Sequence, residues 1–103
     1  MGKRMQNARD MEAKIAELLD GKQSFGPSSK PGEPDVVTDQ LIVECKHRKK
    51  LPKWLKGAVN QASDYTTQES LGYPVAVLHE KHSNHAEDFV VTPIWAFKKL
   101  LEG

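Results

Sequence analysis

Apolar positions recur at helical spacing near the start of the chain. Ala8, Met11, Ile15, Leu18 and Leu19 fall on one stripe, which predicts an amphipathic helix from about Met5 to Asp20 with that stripe toward the core. Gly21 follows as a left-handed stop. The run from Gly26 to Glu33 (GPSSKPGE) is rich in Gly, Pro and Ser and reads as a loop, with a short strand at Ser24-Phe25 just before it. Two β-type runs come next, Asp35 to Thr38 and Leu41 to Lys46, separated by Asp39-Gln40. That is the spacing of a hairpin, although Asp-Gln is a poorer turn than Asn-Gly.

Pro52 suits the first turn of a second helix, running to about Glu69 with a stripe of Trp54, Leu55, Ala58, Val59, Ala62 and Tyr65. Gly72 closes it. Pro74 to Leu78 (PVAVL) reads as a buried strand, Lys81 to Glu87 as a polar turn, Phe89 to Thr92 as a last strand and Pro93 to Leu101 as a short final helix. The order is α-β-β-β-α-β-β-α, an α/β chain with no internal repeat and a single domain over residues 1–103.

Composition changes this picture little, and charge distribution changes it more. A chain of 103 residues has room for one modest core, so an oligomer would be an economical cover for leftover apolar area. The formal net charge is +1, yet Lys46, His47, Arg48, Lys49, Lys50, Lys53 and Lys56 crowd one stretch almost free of acids. This makes a local basic patch, or a solvated loop face. Cys45 is the only cysteine, which excludes an intrachain disulfide and a Cys-based zinc cluster; a reducing, cytoplasmic setting fits. No apolar run approaches membrane-spanning length and the N-terminus lacks a signal-peptide hydrophobic region, so a soluble intracellular protein is expected.

The hairpin carries the candidate chemistry. If Asp39 and Gln40 are the turn, Thr38 pairs with Leu41, Val37 with Ile42, Val36 with Val43 and Asp35 with Glu44. Opposed residues share a face, their Cβ atoms roughly 4.5–5.5 Å apart; strand alternation adds Lys46 to that face and turns Cys45 away. Two opposed carboxylates repel, and a shared Mg²⁺ or Mn²⁺, which prefers carboxylate oxygens and water, would compensate. Ordinary exposed strand acids softened by Lys46 would give the same pattern, and a one-residue slip would separate the faces. On the first helix Glu12 lies at the edge of the apolar stripe, whereas Asp10, Glu17 and Asp20 lie toward solvent. On the second, Gln61 and Tyr65 stand one turn apart at the stripe's margin, where Gln can hydrogen-bond a phosphate or metal-bound water and Tyr can stack; core and rim roles are the plainer alternatives. His79, His82 and His85 have a zinc-like spacing, but they fall across a strand end and a polar turn without a Cys, which favours surface or DNA-edge histidines.

Pro34-Asp35 followed by Glu44-Cys45-Lys46 resembles the PD-(D/E)XK nuclease signature. Glu12 in MEAKIAELL resembles the first-helix Glu of archaeal Holliday junction resolvases, and Gln61-Ala-Ser-Asp-Tyr65 resembles the Q-x-x-x-Y element of RecB-like nucleases. The resemblance spans about Met11 to Leu78. It implies a restriction-endonuclease-like core, with a central mixed four- to five-stranded sheet flanked by helices. It further implies a Mg²⁺- or Mn²⁺-dependent deoxyribonuclease. Asp35, Glu44 and the Cys45 carbonyl would hold the metal, with Glu12 as a direct or water-mediated ligand. Lys46 would orient the attacking hydroxide or stabilise charge on the phosphorane, and Gln61 would complete the catalytic set. Ser29, Lys30, Arg48, Lys49, Lys50, Lys53, Lys56 and Tyr65 would contact DNA. The expected activity is endonucleolytic, on branched or structured DNA, by a homodimer; a phage or mobile element would suit so compact an enzyme. An exonuclease or flap nuclease, and a non-catalytic DNA-binding or assembly module, are the alternatives.

Overall fold

The computed structural model describes residues 2–23, 33–64 and 72–103. In chain order its elements are helix α1 (Gly2–Leu19), strands β1 (Lys22–Gln23), β2 (Val36–Val37) and β3 (Ile42–Val43), helix α2 (Lys53–Asp64), strand β4 (Ala76–Leu78), a single 3-10 turn (His85–Glu87), strand β5 (Phe89–Val91) and helix α3 (Ile94–Glu102). The chain is thus mixed α/β in the expected order, and it forms two compact units, 1–49 and 50–103. No helix among the described residues is long and apolar enough to cross a membrane.

The strands do not form one mixed sheet. They pair as two small antiparallel sheets, β1-β2-β3 in the first unit and β4-β5 in the second. Each ladder spans only two or three residues per strand. The third strand of the first sheet lies at Lys22–Gln23; the expected strand at Ser24-Phe25, most of the Gly26 to Glu33 loop and the helical stretch from Tyr65 to Glu69 lie outside the described residues.

In the first unit, α1 packs on β1 and β2. Its buried anchors are Ala16 and, from β2, Val36, which is fully enclosed; burying a side chain of that size contributes about 1.5–3 kcal/mol. Leu18, expected in the core, is exposed, whereas Ala16, outside the expected stripe, is buried. The helix does not end on a left-handed Gly21. Asp20 holds the left-handed conformation (φ 57°), and the Gly21 N–H donates to the Ala16 carbonyl at 2.8 Å while the Asp20 N–H donates to Glu17, the paired bonds of a Schellman cap. Glycine at position 21 serves close approach instead. A Cβ there would sit 2.8 Å from both the Val37 carbonyl oxygen and Thr38 Cγ2, and 3.0 Å from Val36 Cγ1.

The β2–β3 hairpin has the counted register, Val36 with Val43 and Val37 with Ile42. Its Asp39-Gln40 turn contains no positive-φ residue, so it is not the left-handed turn that favours Asn-Gly. Thr38 holds it instead: its N–H donates to the Leu41 carbonyl, and its hydroxyl accepts from the N–H groups of Gln40 (3.1 Å) and Leu41 (2.9 Å).

In the second unit, β4 and β5 pair Ala76 with Val91, Val77 with Val90 and Leu78 with Phe89. The strand expected to be wholly buried alternates: Pro74 and Ala76 are buried while Val75 and Val77 are exposed, the pattern of a sheet packed on one face. A tight turn closes through the Ser83 N–H to the Glu80 carbonyl, with His82 left-handed (φ 73°). Ala96 of α3 is fully buried, and Trp95 meets Tyr73 edge-on at 6.2 Å. Helix α2 contacts β4 but buries no residue completely. Trp54, expected on its core stripe, is 64% exposed.

Candidate active site

The expected acids meet at the open end of the β2–β3 hairpin, within the first unit. The ladder changes there. Val43 pairs with Val36, yet its carbonyl also accepts the Asp35 N–H at 3.0 Å, the two-against-one arrangement of a β-bulge. Asp35 is therefore not squarely opposite Glu44 as simple counting has it. The irregular step aims its side chain along β3, and its carboxylate accepts the Cys45 N–H at 2.7 Å.

Around that carboxylate the other candidates gather. Glu44, Glu12 from α1 and Lys46 all favour its ionised form, Glu44 most strongly. Glu12 is steadied from the other side by Gln23 of β1, whose amide donates to the Glu12 carboxylate (3.3 Å) and to the Arg9 carbonyl (3.1 Å). Gln23 was not singled out from sequence. Its role depends on β1 running beside β2, with Gln23 opposite Val36, and a two-residue strand leaves no periodic signal to read.

The electrostatics record the crowding. The Glu44 hydrogen bond, outweighing partial desolvation, and then the Cys45 N–H hold Asp35 below its ordinary value of 3.8. Glu44 is pushed above its ordinary 4.5, first by its hydrogen bond to Asp35 and then by that carboxylate's charge. As the pair is acidified, Glu44 therefore takes up a proton before Asp35 does. The Cys45 thiol is raised by burial and then by the negative charges of Asp35, Glu12 and Glu44, which makes it a poor nucleophile and leaves its carbonyl as the group it could offer a cation. The cluster is open rather than closed. Among the described residues, the trio of His, Cys, Asp or Glu ligand atoms all within 4.8 Å of one another is His79, His85 and Asp88, not Glu12, Asp35 and Glu44.

Of the expected DNA contacts, Arg48 and Lys49 are exposed just beyond β3 in this unit. Lys50, Lys53 and Lys56 are exposed residues of the second unit, the latter two on α2, as is Gln61. Ser29, Lys30 and Tyr65 lie outside the described residues. Set against known protein families, curated proteins and solved structures, the chain matches none.

Proposed function

We propose that the chain is a divalent-metal-dependent nuclease whose centre is formed by Glu12, Asp35, Glu44, the Cys45 carbonyl and Lys46. The observation that carries this reading is the Asp35 carboxylate, which accepts the Cys45 N–H and whose ionisation Glu44, Glu12 and Lys46 all influence. Three acids at one end of the hairpin, Glu12 from α1 with Asp35 and Glu44 from the ends of the two strands, cost like-charge repulsion, visible in the raised Glu44 acid; clustered hard oxygen donors fit a Mg²⁺ or Mn²⁺ ion. Asp35 and Glu44 would hold it, with the Cys45 carbonyl, and Glu12 would join directly or through water. A bound ion would supply an activated water and polarise the scissile phosphate. Lys46, exposed beside the acids, would orient the nucleophile or stabilise negative charge on the phosphate. Arg48 and Lys49 would hold flanking phosphates without reading sequence. A restriction-endonuclease-like core is part of the same proposal, as is DNA, branched or otherwise structured, as the substrate. A homodimer would cover apolar side chains such as Val77, Val90 and Phe89, which the single chain leaves exposed.

The test is cleavage of labelled four-way junction, flap, single-stranded and duplex DNA with Mg²⁺, Mn²⁺ or EDTA. Metal-dependent cutting that disappears in Lys46→Ala establishes the centre, and the preferred substrate separates a junction resolvase from an exonuclease or flap nuclease. If no substrate is cut with either metal, the catalytic reading fails and a non-catalytic DNA-binding or assembly role becomes the better one.

A further inference from the structure

The second unit carries a different ligand set. The β4–β5 register pairs Leu78 with Phe89, so its continuation brings His79 opposite Asp88. Their side chains meet there, His79 Nδ1 lying 2.6 Å from Asp88 Oδ1. The 3-10 turn supplies the third member. Asn84 caps that turn through the Ala86 N–H, the Asp88 N–H donates to the His85 carbonyl, and His85 Nδ1 then lies 3.0 Å from Asp88 Oδ2. The two imidazoles stack at 4.0 Å between centroids with 26° between planes, which turns both Nδ1 atoms to one carboxylate. His82, held left-handed in the preceding turn, is not among the converging groups.

The geometry points to a transition-metal site formed by His79 Nδ1, His85 Nδ1 and the Asp88 carboxylate, of the class that takes Zn²⁺, separate in residues and chemistry from the carboxylate centre. Metal–ligand bonds of about 2.0–2.1 Å put adjacent ligands about 2.9 Å apart in octahedral and about 3.3 Å apart in tetrahedral coordination. The nitrogen–oxygen separations of 2.6 and 3.0 Å are already near that spacing, so an ion could enter with small side-chain movements. Two imidazoles and one carboxylate match the three-ligand sets of open zinc sites and suit borderline metals better than Mg²⁺. Neutral histidines would keep their proton on Nε2 once Nδ1 takes the metal. Asp88 also lines a cleft of about 200 Å³ with Glu80 and Glu87, whose charges favour a cation. Each ligand is tied to a hydrogen-bonded strand end or capped turn, so little ordering remains for the metal to impose, and binding would brace the β4–β5 hairpin.

The test is calorimetric titration of Zn²⁺ into the full chain with Mg²⁺ in excess, so that a hard carboxylate centre is not the site being filled. Wild type and His82→Ala should take up one equivalent and melt at a higher temperature with Zn²⁺ than without. His79→Ala and His85→Ala should lose both the binding and the melting shift; His85 is mostly exposed (79% of its side chain), so its removal leaves the fold intact, which circular dichroism checks. Absence of saturable binding in wild type, or equal binding in the His79→Ala and His85→Ala proteins, would overturn the proposal and leave the cluster as a hydrogen-bonded clamp. Neither outcome depends on whether the chain cuts DNA.

Discussion

The Cys45 amide and the Asp35 carboxylate are joined at 2.7 Å, so the side chain expected to bind a cation also fastens the backbone of the strand that carries its partners. As a metal ligand Asp35 would be structural and chemical at once, and the two roles can be separated. Asp35→Asn keeps an acceptor oxygen and should remain folded while losing Mn²⁺ affinity in calorimetry. Asp35→Ala also abandons the amide and should unfold in urea with a further loss of about 1 kcal/mol. That figure lies below the roughly 1.5–3 kcal/mol of hydrogen bonds to charged groups because the group is partly exposed.

Removing Lys46 should leave metal binding in place and abolish cutting. For a group acting only on charge that develops during the reaction, the loss in kcat is on the order of 10²–10³. Lys46→Ala with unchanged Mn²⁺ affinity and no activity fits this role; a parallel loss of both would make Lys46 a support for the acids instead.

Metal affinity should fall with acidity. Glu44 is raised above 4.5, so a cation competes with a proton there, and Mn²⁺ binding should strengthen as pH rises from about 4 toward neutrality and release a proton at the acid end. The metal-free protein behaves differently. Asp35, depressed below 3.8, contributes stability that is lost as pH falls through its folded value. Glu44, raised, contributes stability that is present at low pH and lost as pH rises through its folded value. Their joint contribution is therefore largest between those two values. Glu44→Gln should remove the loss on the alkaline side, as urea midpoints measured from pH 3 to 7 would reveal.

Gly21→Ala should destabilise the first unit by about 1–3 kcal/mol, the usual range for overpacking, because the new methyl meets a carbonyl oxygen at 2.8 Å. Thermal melting checks it. Asp20→Gly, which places glycine where φ is 57°, should be neutral or stabilising.

The sequence made the hairpin legible, and with it the acids, because a two-residue separation and strand alternation leave few registers and the observed one pairs Val36 with Val43. The bulge at Asp35 was not legible. It adds no residue pattern, only a second donor on one carbonyl. Gly21 reads in sequence as a left-handed stop, but its place demands close approach instead, and a glycine needed for one looks the same in sequence as a glycine needed for the other. Trp54 was placed in a core by helical spacing, yet a stripe shows which face is apolar, not whether anything covers it, and Trp54 is exposed. The meeting of His79 with Asp88 was hidden because it needs the β4–β5 register across a long polar connection. The single central sheet expected from the family resemblance is likewise not what these short strands form.

The seat of Gly21 against β2 has a mechanical consequence for Glu12. Glu12 lies nine positions before Gly21, most of them in α1, about 13 Å at helical rise, so a rocking of α1 by about 10° about that point would swing Glu12 by about 2 Å, as much as a metal–oxygen bond. A side chain at position 21 would turn this pivot into a loose hinge. The bare backbone there would then act as a bearing for the acid about two and a half turns away.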